Sequence, residues 1–210
     1  MTDFQAIALA GESIVRYLRS AFVAVPPLLD PAENPNDPHV PRTIVVELAD
    51  AASLKSITKS TEHGTIVTLL LYRVDVNRAL RSTMGMVPDR SGATSLPLDL
   101  FYLLTAWAPN ATEEHLIIGR AMQALEQGTP LSGPATLTRI GGMTTDETLD
   151  KLSIVIDELS NEAMMRIFES LRVEYRLSIP YIARVTTIST RDGRSVPPVL
   201  DERIRLMVPS

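Results

Sequence analysis

Three histidines, His39, His63 and His115, are the first residues to question, because imidazole is the commonest metal ligand and the usual general base near neutral pH. They stand far apart, the first two in segments that read as loops, and none has a second ligand at a metal spacing such as i+4. Each reads as a surface or capping side chain. Asp146, Glu147 and Asp150 cluster, but their spacing does not match a calcium loop, and a solvated helix start fits them better. Asp157-Glu158 is a weak candidate for paired acid–base work, as any adjacent carboxylate pair is. Gly141-Gly142 is followed by Met143-Thr144, with no lysine to hold a phosphate, and no Gly-x-Ser-x-Gly, P-loop or Gly-x-Gly-x-x-Gly occurs. With no cysteine in the chain, disulfides, thiolate metal sites and thiol nucleophiles are excluded. Motif by motif, no constellation supports an enzyme, although groups brought together only by folding escape such a search.

The totals point the same way. The 210 residues suit one large domain, and a hydrophobic share of 45% supplies a real core. A formal charge of -5 and a pI near 5.3 argue against nucleic acid or an anionic membrane as the main partner. Asp3, Arg16 and Arg19 break up the N-terminal apolar residues, so no signal peptide is expected, and the run Ile66 to Tyr72 is too short to span a bilayer. The 17 Arg against 3 Lys fit either a composition bias or subunit interfaces, where planar guanidinium forks are favoured.

The elements that must position any site follow from periodicity. Phe4 to Phe22 reads as a helix, with Phe4, Ile7, Gly11, Ile14, Val15, Leu18 and Phe22 on its inner face. Residues 26–42, rich in proline, read as an extended arm. Thr43 to Leu48 is a strand, Ala49 to Gly64 a loop with a helical turn, and Ile66 to Val76 a central strand, apolar on both faces at Leu69, Leu70 and Leu71. Met84 to Ser95 reads as a loop and Leu96 to Trp107 as another strand. A helix capped at Thr112-Glu113-Glu114-His115 runs to about Gln127, with Leu116, Gly119, Met122, Ala124 and Leu125 inward and Gly128 as its stop. A short strand is expected at Ala135 to Ile140. Thr144 to Glu147 has the form of a helix start, in competition with a strand from Leu152.

The stretch Leu152 to Thr190 reads as strand, helix, strand. Ser160 or Asn161 caps the helix, and Met164, Ile167, Phe168 and Leu171 form one stripe. From Arg172 to Ile179 every odd position is apolar and every even one polar, the pattern of a half-buried strand. A crossover of this length allows the two strands to run parallel. Pro180, which cannot donate to a ladder, is expected at an edge or bulge. Residues 191–210 form a tail in which Arg203 to Met207 suggests one edge strand. The fold class is therefore α/β (α+β): a mixed β-sheet flanked by helices with long Pro/Gly loops, one domain over 1–190 and a tail beyond.

Four stretches in order also carry a resemblance. They are Leu70 to Asn77 with Leu80-Arg81; Leu96 to Trp107; Glu114 to Leu125; and Glu158-Leu159-Ser160 through Tyr175-Arg176-Leu177-Ser178 to Tyr181. Together they resemble the tail-terminator, or cap, proteins of extracellular contractile injection systems, phage-tail-like particles such as the Photorhabdus virulence cassettes and the antifeeding prophage. The similarity spans roughly Phe4 to Ser189. It implies a phage tail-terminator-like fold and a homohexameric ring that ends the inner tube and holds the last ring of sheath. It implies no catalytic activity, cofactor or metal, and production in the bacterial cytoplasm before assembly into the particle. The chain departs from the family at Phe168, where a tryptophan is common, and at Glu126-Gln127-Gly128-Thr129-Pro130, where an aromatic or basic turn is usual. A connector or baseplate-type subunit, and an enzyme with a fold-assembled site, are the rival readings.

For the motif residues, Asp99 in an apolar strand calls for a partner such as Arg73 or Arg81, within the subunit or across to a neighbour. Trp107, near a strand end, is the expected interface anchor. The interface candidates are Arg73, Arg81, Trp107, Arg172, Glu174, Arg176 and Arg184, the last four competing with a simply solvated face.

Overall fold

The computed structural model describes residues 6–23, 44–59, 65–84, 94–128, 130–140 and 143–190. The arm at 26–42, the tail at 191–210 with its suggested strand at Arg203 to Met207, most of the 84–95 loop, His39 and His63 lie outside these residues. Helix α1 is Ala6–Val23, strand β1 Val45–Ala49, α2 Ala51–Lys59, β2 Ile66–Val76, α3 Arg78–Met84 and β3 Thr94–Trp107. They are followed by α4 Ala111–Gly128, β4 Leu131–Ile140, β5 Met143–Ile156, α5 Asn161–Leu171 and β6 Ser178–Thr190.

The strands form one six-stranded mixed sheet in the order β1-β2-β3-β6-β5-β4. Only β1 and β2 pair in parallel, joined through α2; the other neighbours are antiparallel. Alternation along β3 separates two cores. Leu98, Leu100, Tyr102, Leu104 and Ala106 point to the first face, where α1 and α4 lie. Leu103 and Trp107 point to the second, with Leu54 and Ile57 of α2 and Met164 and Phe168 of α5. The result is three layers, helices on both sides of the sheet, as expected from the sequence.

Helix α1 sits low on the first face because Gly11 lets it: a Cβ there would lie 3.1–3.3 Å from Leu48 and the Tyr102 hydroxyl. Its buried set, Ala6, Leu9, Ala10, Gly11, Ile14, Val15 and Leu18, keeps most of the expected stripe, with Ile7 and Phe22 at its flanks. Gly128 serves a second close approach. It ends α4 beneath the ring of Tyr17, whose hydroxyl donates to the Ala124 carbonyl at 2.9 Å.

Several expectations need correction. The inner face of α4 is Glu114, Ile117, Ile118, Ala121, Ala124 and Leu125, while Leu116 and Gly119 face outward. A glutamate opening the stripe disguised its phase. The cap of α4 is Asn110, which accepts the Glu113 N–H at 2.9 Å and donates to its carboxylate at 2.8 Å, a reciprocal box two residues before the expected one. Between β1 and β2 stands a full helix, capped by Asp50 through the Ala52 and Ser53 N–H groups at 3.0 and 2.7 Å. Thr144 to Glu147 is strand rather than helix start: Thr145, Asp146 and Glu147 pair with Leu137, Thr136 and Ala135 of β4.

The alternating run after α5 is not a strand until Ser178. Ser160 caps α5 as expected, accepting from the Ala163 N–H at 3.2 Å. At the other end Arg172 adopts φ 54°, and N–H groups of Arg172 and Val173 close onto the carbonyls of Glu169 and Phe168. This left-handed cap reverses the chain and forbids extended backbone at the first position of the run. β5 and β6 then pair antiparallel, not parallel. Pro180 lies in a strand with neighbours on both sides, yet its requirement is met. Its carbonyl accepts the Asp157 N–H at 2.9 Å, so its ring nitrogen faces the point where the β5 ladder has ended at Ile156.

Candidate assembly interface

The structure gathers the named residues into two groups and leaves one in the interior. The first group lies on the second sheet face, where the ladder aligns Asp75 with Asp99 and Asp99 with Arg184. In the next row Arg73 is opposite Phe101, and Phe101 opposite Ile182. A bulge at Tyr72 turns both Tyr72 and Arg73 to this face. The Arg73 guanidinium lies 3.6 Å above the Phe101 ring, and its Nε is 3.2 Å from the Asp75 carboxylate. Asp99 takes neither expected arginine: both carboxylate oxygens accept from Asn77 Nδ2, at 3.1 and 3.2 Å. Asn77 also caps α3, accepting the Leu80 N–H at 3.0 Å, so a short helix absent from the sequence reading supplies the partner. Arg81 projects from that helix, exposed, and Arg184 is exposed beside Asp99.

The second group is the irregular segment between α5 and β6. Arg172 and Glu174 are exposed. Arg176 is engaged within the subunit: its Nη1 lies 2.6 Å from Glu114 Oε1, and its guanidinium carbon 5.5 Å from the Trp107 ring centroid. Trp107 itself is only 6% exposed, with Nε1 donating to Thr68 Oγ1 at 2.9 Å. The expected surface anchor is thus a core residue, because β3 enters the second core at its C-terminal end. Tyr175 is exposed and meets Phe168 edge-on at 5.4 Å between centroids, near exposed Met165 on the same helix.

Burial raises the hydroxyl pKa of three tyrosines. Tyr72 is pushed up to about 12, first by desolvation and then by donating to the Asp157 carboxylate at 3.1 Å. Tyr181 is pushed up to about 12 by desolvation and the charge of Glu126, and Tyr102 higher by desolvation alone. Asp157 is therefore engaged in holding Tyr72 across the sheet. Among the described residues no three His, Asp or Glu side chains group as metal ligands, and no helix is long and apolar enough to cross a membrane.

Sequence reasoning missed the exposed end of β5, where the side chains of Val155 and Ile156 lie open to solvent. The signal was present in the apolar run Ile154-Val155-Ile156 stopped by Asp157.

Helices cover both faces of the mixed sheet, and Arg81, Arg172 and Arg184 stand exposed outside it. The chain belongs to the family described as the Pvc16 N-terminal domain, whose model matches residues 12–202. Among solved structures it is similar to the sheath/tube terminator of an extracellular contractile injection system, PVC, in its extended state. That match has TM-score 0.57 at 16% identity and covers 100% of this chain and 65% of the other. The chain thus spans about two thirds of that protein's length, just short of it. A second similar structure is the tube-terminating cap of the anti-feeding prophage, with TM-score 0.44 at 17% identity, covering 70% of this chain and 51% of the other. No curated protein matches the chain.

Proposed function

We propose that this chain is a structural cap of a contractile injection particle. Six copies form a ring that ends the inner tube and anchors the last sheath ring, at the end away from the baseplate. The observation that carries the reading is the family match over residues 12–202, joined to a fold shared with a sheath/tube terminator. The role is non-catalytic, without cofactor, nucleic acid or membrane, and the protein is made in the bacterial cytoplasm and built into the particle there.

Contacts fall to the side chains that the subunit leaves outside. Arg172, Glu174 and Tyr175, with Met165 exposed on the preceding helix, combine charge with the aromatic and methionine surface common at interface centres. Arg73, Arg81 and Arg184 supply a second, charged surface. Trp107 and Arg176 act from within by fixing the segment that carries Arg172 and Glu174. Light scattering of the purified protein with and without tube protein tests the reading. A six-copy ring on tube ends supports it, while a strict monomer that ignores tube, together with normal tube lengths in its absence, overturns it.

A further inference from the structure

Exposed charge on the second sheet face divides by sign along β3. Toward the start of that strand, Arg73 is held by Asp75, and Asp99 by Asn77. Arg78 and Arg81 stand exposed on α3, which Asn77 caps, and Arg184 stands exposed opposite Asp99. Among the described residues none of these three arginines has an ion pair, and they outnumber Asp99. Toward the other end, α5 lies over Leu103 and Trp107. There Glu162 is tied to Arg166 at 2.7 Å, Arg176 to Glu114 and Asp157 to Tyr72. Glu158, Glu169 and Glu174 stand exposed before, on and after α5, again without an ion pair among the described residues, and they outnumber Arg172. In the same core, α2 and its cap add Lys55 and Asp50, one of each sign. Asp99 and Trp107 are eight residues apart on β3, about 27 Å, whereas the Debye length at physiological salt is about 8 Å. One subunit therefore leaves a cationic and an anionic group that do not neutralise each other.

We propose that the two groups meet between copies of this chain. Arg78, Arg81 and Arg184 of one subunit lie against Glu158, Glu169 and Glu174 of the next. The occupant is a second copy because the two surfaces are opposite in sign and each lacks its match within its own subunit. Guanidinium forks suit such a contact, since they meet carboxylates through paired hydrogen bonds and are more weakly hydrated than lysine. Met165 and Tyr175, each 52% exposed beside the glutamates, supply apolar surface within it. The inference rests on the cap reading, because a closed ring of six requires a heterologous contact in which every subunit offers two different surfaces. It goes beyond that reading by stating which surface meets which.

Two charge-reversed full-length variants test the contact, each mixed with tube protein and sized by light scattering. The first combines Arg78→Glu, Arg81→Glu and Arg184→Glu; the second combines Glu158→Arg, Glu169→Arg and Glu174→Arg. Either variant alone should form rings about tenfold or more poorly than the natural chain, because like charges then face each other. An equal mixture of the two should restore rings, since each reversed surface finds its opposite on the other variant. Rings of natural yield from either variant alone, a mixture no better than its parts, or a species that stops at two copies overturns the proposal. A mixture without rescue is the result expected if the two groups face tube or sheath instead. Salt adds a readout without substitutions. The natural ring should dissociate about tenfold or more readily when salt rises from about 0.05 to 0.5 M, and an unchanged ring contradicts the contact. A natural chain that never forms a ring with tube protein overturns the cap reading and the contact together. A ring indifferent to both reversals overturns the contact alone.

Discussion

Arg176 Nη1 lies 2.6 Å from Glu114 Oε1 and ties the segment after α5 to the first turn of α4, 62 residues away. Glu114 is nearly buried and Arg176 partly exposed, with the guanidinium over Trp107. One bond thus joins both helical layers at one end of the sheet.

Arg176→Ala should cost about 1.5 kcal/mol in urea unfolding, the lower end for a charge-assisted hydrogen bond because the guanidinium is partly solvated. A double-mutant cycle with Glu114→Ala should show coupling. Additive losses would mean that the pair does not act as a unit.

Gly11→Val should destabilise the chain by about 1–3 kcal/mol, since the new side chain meets Leu48 and Tyr102 where α1 touches the sheet. Leu100→Ala, in the same core, should cost about 2–5 kcal/mol. Gly119→Ala should be neutral or stabilising, because a Cβ there meets nothing within 4 Å. Thermal unfolding of the three variants checks the order.

Alkaline pH should unfold the chain through its tyrosines. Tyr72 and Tyr181 hold their protons to about 12 when folded, against an ordinary 10.0. A raised acid pKa means that the unfolded chain loses the proton first. The stabilisation is fully present below pH 10 and is lost as pH climbs toward 12. Tyr72→Phe should flatten part of that fall; an unchanged slope between pH 10 and 12 would contradict the assignment.

Acid acts through Asp50. The Ser53 backbone N–H, donating to Asp50 Oδ1, is the first cause that holds its carboxyl below the ordinary range. The cap therefore contributes fully above the unfolded carboxylate pKa and is lost as pH falls through the lower folded value. Asp50→Asn, which keeps a capping oxygen, should remove this pH dependence while keeping α2, as circular dichroism across an acid titration would report.

What was legible in the sequence followed the strength of local signals. Ile66–Val76 has the bounds read from its apolar run, and Ser160 caps α5 as its residue type suggests. The class of sheet and helices emerged from the same periodicities. Elsewhere a tertiary fact prevailed. Arg172 in a left-handed conformation broke an otherwise clean alternation, which no propensity of arginine signals. Buried Glu114 shifted the phase of α4 because its charge is met by Arg176 far along the chain. Asp99 found Asn77 rather than an arginine because α3 starts there. Trp107 reads as an anchor from its neighbours, and only the second core accounts for its burial. Arg81, Arg172, Glu174 and Arg184 are exposed, as polar residue types suggest. The exposed end of β5 at Val155 and Ile156 went unseen, since an apolar run does not say which strands lie beside it.

The proposed role is that this chain ends a tube. The most direct measurement is imaging of intact particles carrying a small label on the protein, beside particles assembled without it. The account predicts one labelled ring at the end away from the baseplate, and tubes of irregular, extended length when the protein is absent. Label at the baseplate end, or tubes of normal length without the protein, would contradict it.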